Sequence, residues 1–440
     1  MVAPLHDSAL EQSSYTTPPL ASERSEHTSS LENSQGRKWL ILAVKSRSAN
    51  AASLPLYYEK DVISGRVELD LDKPETIKGV IVSVKGCITV VGQNEEPFLN
   101  ISHDVWNTTL GHPTDDKASP SKLQGKFSWP FRIDLPNAIS LTGSGKGADT
   151  FSLPPSFSER ASTTYIDYKI TVKIKRPALK ISQSLSINFG YMPVTKPSPI
   201  RPLRRQAYLE GTPLVGPEGD PEGWIVLPTY KYLGTLFDTR KAEVSCTLAI
   251  ANPLTYSLAS PIPVILTLSS TDTQALDVLA VPAAIRLHLA RALTMGDNAT
   301  SSNAALRSRS SIKSSSAMAA FWPSTDGEPK EDTRILEGEI DVKKSIKPPF
   351  VFPKFALRYS LELLPFDAPG FVFAGHPFNA LISQPVSIVT ASDADAVPHF
   401  YAPPGYVQPD VVDYNNTVGM LENGNQAFLQ HHMNGLVGAS

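Results

Sequence analysis

Among the residues of this chain that could do chemistry, the most specifically spaced are Pro403, Pro404 and Tyr406, in the stretch YAPPGYVQPD at 401–410. The chemistry they suit is recognition. Each proline fixes φ, so the segment is extended before it binds and loses little entropy on binding. One face of a polyproline II helix lays a proline pair into an aromatic groove while the tyrosine fills a neighbouring pocket, which is how WW domains read PPxY sequences. With 38 prolines and 14 tyrosines in 440 positions, about 0.1 such sequences arise by chance, so compositional bias is a poor explanation. Leu227, Pro228 and Tyr230 form a weaker LPxY variant. It reads more simply as the entry from a linker into a strand.

Reactive chemistry finds no comparable spacing. GSGKG at 143–147 fails the GxxxxGK[ST] spacing of a phosphate loop, with Gly147 where a hydroxyl is needed. There is no HExxH, no GxSxG and no Cys/His metal spacing. The nine histidines are scattered, and His431–His432 lies in a tail too loose to build a site. Asp70 and Asp72 lack the glycine and glutamate of a calcium loop. Cys87 and Cys246 form no CxxC pair and fall in strand-like runs, which predicts buried free thiols. No nucleophile, base and oxyanion donor come together, so the chain is not read as an enzyme, and no cofactor or metal is expected.

These residues need elements to position them, and the chain supplies strands. Prolines outnumber glycines 38 to 26, which favours a β-rich, turn-rich protein. Residues 1–36 are Ser/Thr-rich and predicted disordered. Short strands run from 37 to 192, clearest in YIDYKITVKIKR, where Tyr168, Ile170, Val172 and Ile174 share one face and Lys169, Thr171, Lys173 and Lys175 the other. Residues 193–236 hold eight prolines between Pro193 and Pro228 and predict an extended interdomain linker. Alternation resumes in EVSCTLAI, PVILTLSS and AAIRLHLARAL, the last with Arg286, His288 and Arg291 expected away from its apolar face. A Ser-rich stretch at 296–320 predicts a mobile loop, strands continue to 392, and 393–440 reads as a disordered acidic tail. The expected fold class is all-β: two antiparallel, immunoglobulin-like sandwiches in tandem.

Charge follows the same plan. Residues 1–36 carry five acids and one arginine, and 393–440 carry five acids and no Lys or Arg. With a net charge of −3 overall, the body between them is therefore +6. That suits anionic membrane surfaces or phosphorylated peptides. It is too small an excess, and too poorly interleaved with aromatics, for nucleic acid. No basic region followed by an apolar run opens the chain, so an intracellular, soluble protein is expected, with the sequons at Asn100, Asn107, Asn298 and Asn416 idle.

The order of motifs resembles the arrestin family. DVISGRVELDLDKPETIKGVIVSVKGCITVVG with Trp106, then FSWPFRIDLP at 127–136, then LPPSF at 153–157 before YIDYKITVKIKR, is similar to an arrestin N-terminal domain. LGTLFDTRKAEVSCTLAIANP and LEGEIDVKKSIKPPFVFPKFALRYSLEL resemble the C-terminal domain, so the likeness spans about 37–392. The buried charged cluster and paired phosphate-sensing lysines of visual-type arrestins are not placed here. The match is to the α-arrestin branch, the arrestin-related trafficking adaptors, and receptor-phosphate sensing is not carried over.

What the resemblance implies is an adaptor. Two sandwiches would recognise membrane cargo, a plasma-membrane transporter or receptor, and Pro403, Pro404 and Tyr406 would hold a WW-domain HECT-type ubiquitin ligase, promoting ubiquitylation and endocytosis. Such a protein is expected in the cytoplasm, transiently at the plasma membrane or endosomes through peripheral association. The alternative is an arrestin-fold scaffold for signalling or vesicle sorting with no ligase partner. No Lys or Arg follows Arg358, so ubiquitin on this protein would land on the body, with Lys169, Lys173, Lys175 and Lys180 as candidates. The plainer reading of each is a solvated strand face. Eight serines at 301–316 stand among Arg307, Arg309 and Lys313, making Ser308, Ser310 and Ser311 candidates for basophilic kinases and a following 14-3-3 contact.

Overall fold

The structure, a computed structural model, describes residues 24–114, 119, 121–142, 148–160, 162–178, 180–301, 311–325, 330–392 and 396–406. The N-terminal half is built from strands β1 (Ser25–Glu32), β2 (Lys38–Ser46), β3 (Leu56–Tyr58), β4 (Val62–Thr76), β5 (Gly79–Val90), β6 (Glu96–Asn107), β7 (Lys122–Asp134), β8 (Ala138–Thr142), β9 (Ala148–Ser152), β10 (Thr164–Lys175) and β11 (Gln183–Met192). One sheet runs β1-β2-β4-β7 and the other β3-β11-β10-β5-β6, with β8 and β9 a separate hairpin. Alternation decides which face is core. Tyr168, Ile170, Val172 and Ile174 of β10 are fully buried, while Lys173 and Lys175 are exposed.

The C-terminal half contains helices α1 (Pro202–Glu210) and α2 (Thr273–Leu279). Its strands are β12 (Trp224–Val226), β13 (Tyr230–Leu236), β14 (Arg240–Ala251), β15 (Thr255–Ser257), β16 (Ser260–Ser269), β17 (Arg286–Met295) and β18 (Ser311–Pro323). They continue with β19 (Thr333–Val342), β20 (Phe350–Phe352), β21 (Phe355–Leu364), β22 (Phe371–Phe373) and β23 (Ile382–Val389). One layer holds β15-β23-β21-β17 and the other β19-β16-β14-β13-β22. They join through β18, which pairs with β17 over its first part and with β19 from Ala319 to Pro323. Val244, Cys246, Leu248 and Ile250 of β14 are fully buried. Both cysteines are free and buried. The protein is thus all-β, two curled sandwiches in tandem.

Four sequence expectations are corrected. Ser25–Glu32, expected to be disordered, is strand β1: it needs few apolar residues because it completes the open ladder of β2, and buried His27 bonds Ser46 Oγ at 2.8 Å. The Pro-rich stretch 193–236 is extended only in part, because it contains α1, β12 and β13. Helix α1 starts with Pro202 in its first turn, where the missing N–H is not needed, and stops at Gly211 with φ +65°. The Ser-rich stretch 296–320 includes the start of β18, whose small residues Ala317 and Ala319 are buried. Finally, Arg291 does not point away with Arg286 and His288. A period of two puts it in phase with Leu287, Leu289 and Leu293, and it is buried with them.

Arg291 is buried because the two sandwiches meet there. Phe157 packs against Phe350 and Phe355 with ring centroids 5.6 and 5.0 Å away, and Phe352 packs against Phe98 and Phe151 at 5.0 and 5.7 Å. Elsewhere the connecting segment is bound to the end of β23, where Thr195 N and Thr390 N each donate to the other residue's hydroxyl.

Candidate functional site

The PPGY sequence lies where the described chain ends, and the strands of the C-terminal layer position it. Gly405 has φ +97°, and Tyr406 N donates to the Pro403 carbonyl at 3.1 Å. With proline second and glycine third, this is a type II turn, the geometry such a pair favours. Proline geometry alone predicts an extended segment; glycine's access to positive φ is what lets the chain turn instead. Pro404 and Gly405 are exposed, and Tyr406 is 38 % exposed.

The residues just before the turn lie against the body, although 393–440 was expected to be a disordered tail. Tyr401 N and Ala402 N donate to Glu339 Oε2 and Oε1 at 2.9 and 3.0 Å. Tyr401 Oη donates to the Thr212 carbonyl at 2.9 Å, and its ring stacks on Tyr208 of α1. Pro398 helps to close a cavity of about 40 Å³ lined by Arg204, Tyr208 and Tyr256. Arg204 fixes α1 from below: it donates to the carbonyls of Asn252 and Gly223 and lies 4.9 Å from the Trp224 ring. Burial raises the pKa of Glu339, and the Tyr401 and Ala402 amides oppose that shift.

The other sequence candidates are scattered rather than gathered. Leu227 is buried, and Tyr230 opens β13 opposite Cys246, so the LPxY stretch is a strand entry here. Lys173, Lys175 and Lys180 are exposed, whereas Lys169 pairs with Glu95 at 2.8 Å. Ser311 begins β18. Ser308 and Ser310, like GSGKG at 143–147 and His431–His432, lie outside the described residues. Asp70 and Asp72 both face Arg37. Among the described residues no group of three or more His, Cys, Asp and Glu could hold a metal ion. No helix among them is long and apolar enough to cross a membrane.

The fold also forms a charged cluster that the sequence did not reveal. Glu159, from the loop between β9 and β10, accepts from both terminal nitrogens of Arg291, one at 2.8 Å, and lies 3.0 Å from Lys347 Nζ. All three are buried. Lys347 also donates to the Ser158 carbonyl at 2.6 Å and sits 4.7 Å from the Phe157 ring centre. Glu159 and Arg291 are 132 residues apart, a separation across which no local pattern carries a signal.

The described chain is thus two β-sandwiches in tandem, with the PPGY turn at the surface of the second. Residues 50–191, from the approach to β3 through nearly all of β11, match the family described as arrestin (or S-antigen), N-terminal domain. No curated protein matches the chain. The N-terminal half is therefore arrestin-like, on an arrestin-type fold that serves adaptors and scaffolds in general.

Proposed function

We propose that this protein is an adaptor that brings a WW-domain HECT-type ubiquitin ligase to membrane cargo, a transporter or receptor, and so promotes its ubiquitylation and endocytosis. The observation that carries this reading is a PPGY sequence with an exposed tyrosine at the border of an arrestin-like body. The mechanism is effective concentration: two modest affinities on one chain keep the ligase near its target. The ligase is held where the chain carries no Lys or Arg after Arg358. Transfer then goes to the cargo or to exposed body lysines such as Lys173, Lys175 and Lys180. The protein works in the cytoplasm and visits the plasma membrane or endosomes with its cargo. Phosphorylation at Ser308, Ser310 or Ser311, with 14-3-3 capture, would be a separate layer of control.

The test titrates labelled WW domains from HECT-type ligases with the full chain, wild type and Tyr406→Ala, by fluorescence polarisation. Micromolar binding abolished by the substitution is expected. Absence of binding to every WW domain would remove the ligase and leave an arrestin-fold scaffold.

A further inference from the structure

Glu339 sits in the middle of β19, only 6 % exposed. Its ladder neighbours are Pro263 on β16 and Ala320 on β18, neither of which has a side-chain donor for the carboxylate. A buried carboxylate needs donors. Among the described residues, the hydrogen bonds to the Glu339 carboxylate come from the peptide N–H groups of Tyr401 and Ala402, more than sixty residues further on. Separating tail from body would strip the carboxylate of these donors and uncover two amides. Tyr401 adds a ring on Tyr208 and a hydroxyl on the Thr212 carbonyl, so the contact is specified by side chains on both sides. Immediately after it, the Pro403–Tyr406 turn doubles the chain back. A WW groove takes the proline pair and the tyrosine along one extended face. With Gly405 at φ +97° no such face exists, and Pro403 is half-buried.

We propose that Glu339, Tyr208 and the Thr212 carbonyl form an intramolecular docking site for residues 398–402, and that this site restrains PPGY in a turn from which a WW domain must free it. The regulatory part rests on the reading of PPGY as a WW ligand given above; the docking site itself does not. Glu339 is a positioning residue, since it acts on the motif through the backbone of Tyr401 and Ala402. Its occupant is the chain's own tail, and a ligase binds in competition with it.

The test uses the full chain as wild type, Glu339→Ala and Gly405→Ala. Each is titrated with a labelled WW domain, and hydrogen exchange is followed at the amides of Tyr401 and Ala402. Glu339→Ala is expected to tighten WW binding about tenfold and to abolish protection of both amides. Gly405→Ala has nothing within 4 Å of the added Cβ, so it acts only by disfavouring positive φ and is expected to tighten binding roughly two- to fivefold. It also keeps the idea testable should Glu339→Ala fold poorly. Unchanged affinity in both variants would overturn the restraint, and fast exchange at Tyr401 and Ala402 in the wild type would overturn the docking site. If no variant binds any WW domain, the PPGY reading falls, while amide protection lost on Glu339→Ala still upholds the dock.

Discussion

Asp167 shows how one side chain in a strand can set a pH response. It lies on β10 opposite Cys87, and burial raises its pKa to about 6, with Lys169 opposing and Glu95 adding to the rise. An unfolded aspartate titrates near 3.9, as about the usual value. The folded protein therefore holds the extra proton between about pH 4 and 6, and stability falls as pH rises through that window. Asp167→Asn should raise stability at pH 7 by about 1–2 kcal/mol and flatten the slope between pH 4 and 6, measured by urea unfolding across pH. At this scale the sequence is legible where function is local. PPGY is four consecutive residues and can be read directly, whereas Glu339 carries no mark of the amides it accepts. The phase of Arg291 is legible in the sequence, in step with three leucines; its pairing with Glu159 is not.

Elements obey the same division. The turn between β13 and β14 puts Phe237 and Asp238 at φ +50° and +56°, and the Phe237 ring lies over Gly370, itself at φ +87°. A Cβ at Gly370 would stand 2.4 Å from that ring. Gly370→Ala should therefore cost about 2–3 kcal/mol, through backbone conformation and overpacking together, as a lower unfolding midpoint with an unchanged slope. Strands β10 and β14 could be found from alternation because each buries one full face. Helix α1 carried a start and a stop in Pro202 and Gly211, but the surrounding prolines obscured them. Strand β1 was harder to find, since its order comes from the edge of β2 rather than from its own residues.

In the molecule as a whole, Glu159 ties the two sandwiches together. Removing the carboxylate shared by two buried cations should cost about 3–5 kcal/mol. Glu159→Gln is expected to lower the melting temperature and, in scanning calorimetry, to split one unfolding transition into two; a single transition at the wild-type temperature would show that the aromatic contacts alone couple the sandwiches. The way β18 links both layers of the C-terminal half matters for a different reason. Two separate stacked sheets would expose four edges, but here the described strands form one folded ribbon with two ends, Thr255–Ser257 and Phe371–Phe373. Each is three residues long and covers only part of its neighbour, so among the described strands the open runs beside them, Ile382–Val386 of β23 and Tyr230–Leu233 of β13, are short templates for pairing by another chain. The longer free ladders, β6 and β7, belong to the N-terminal half. When this protein aggregates through its edges, that half should nucleate it.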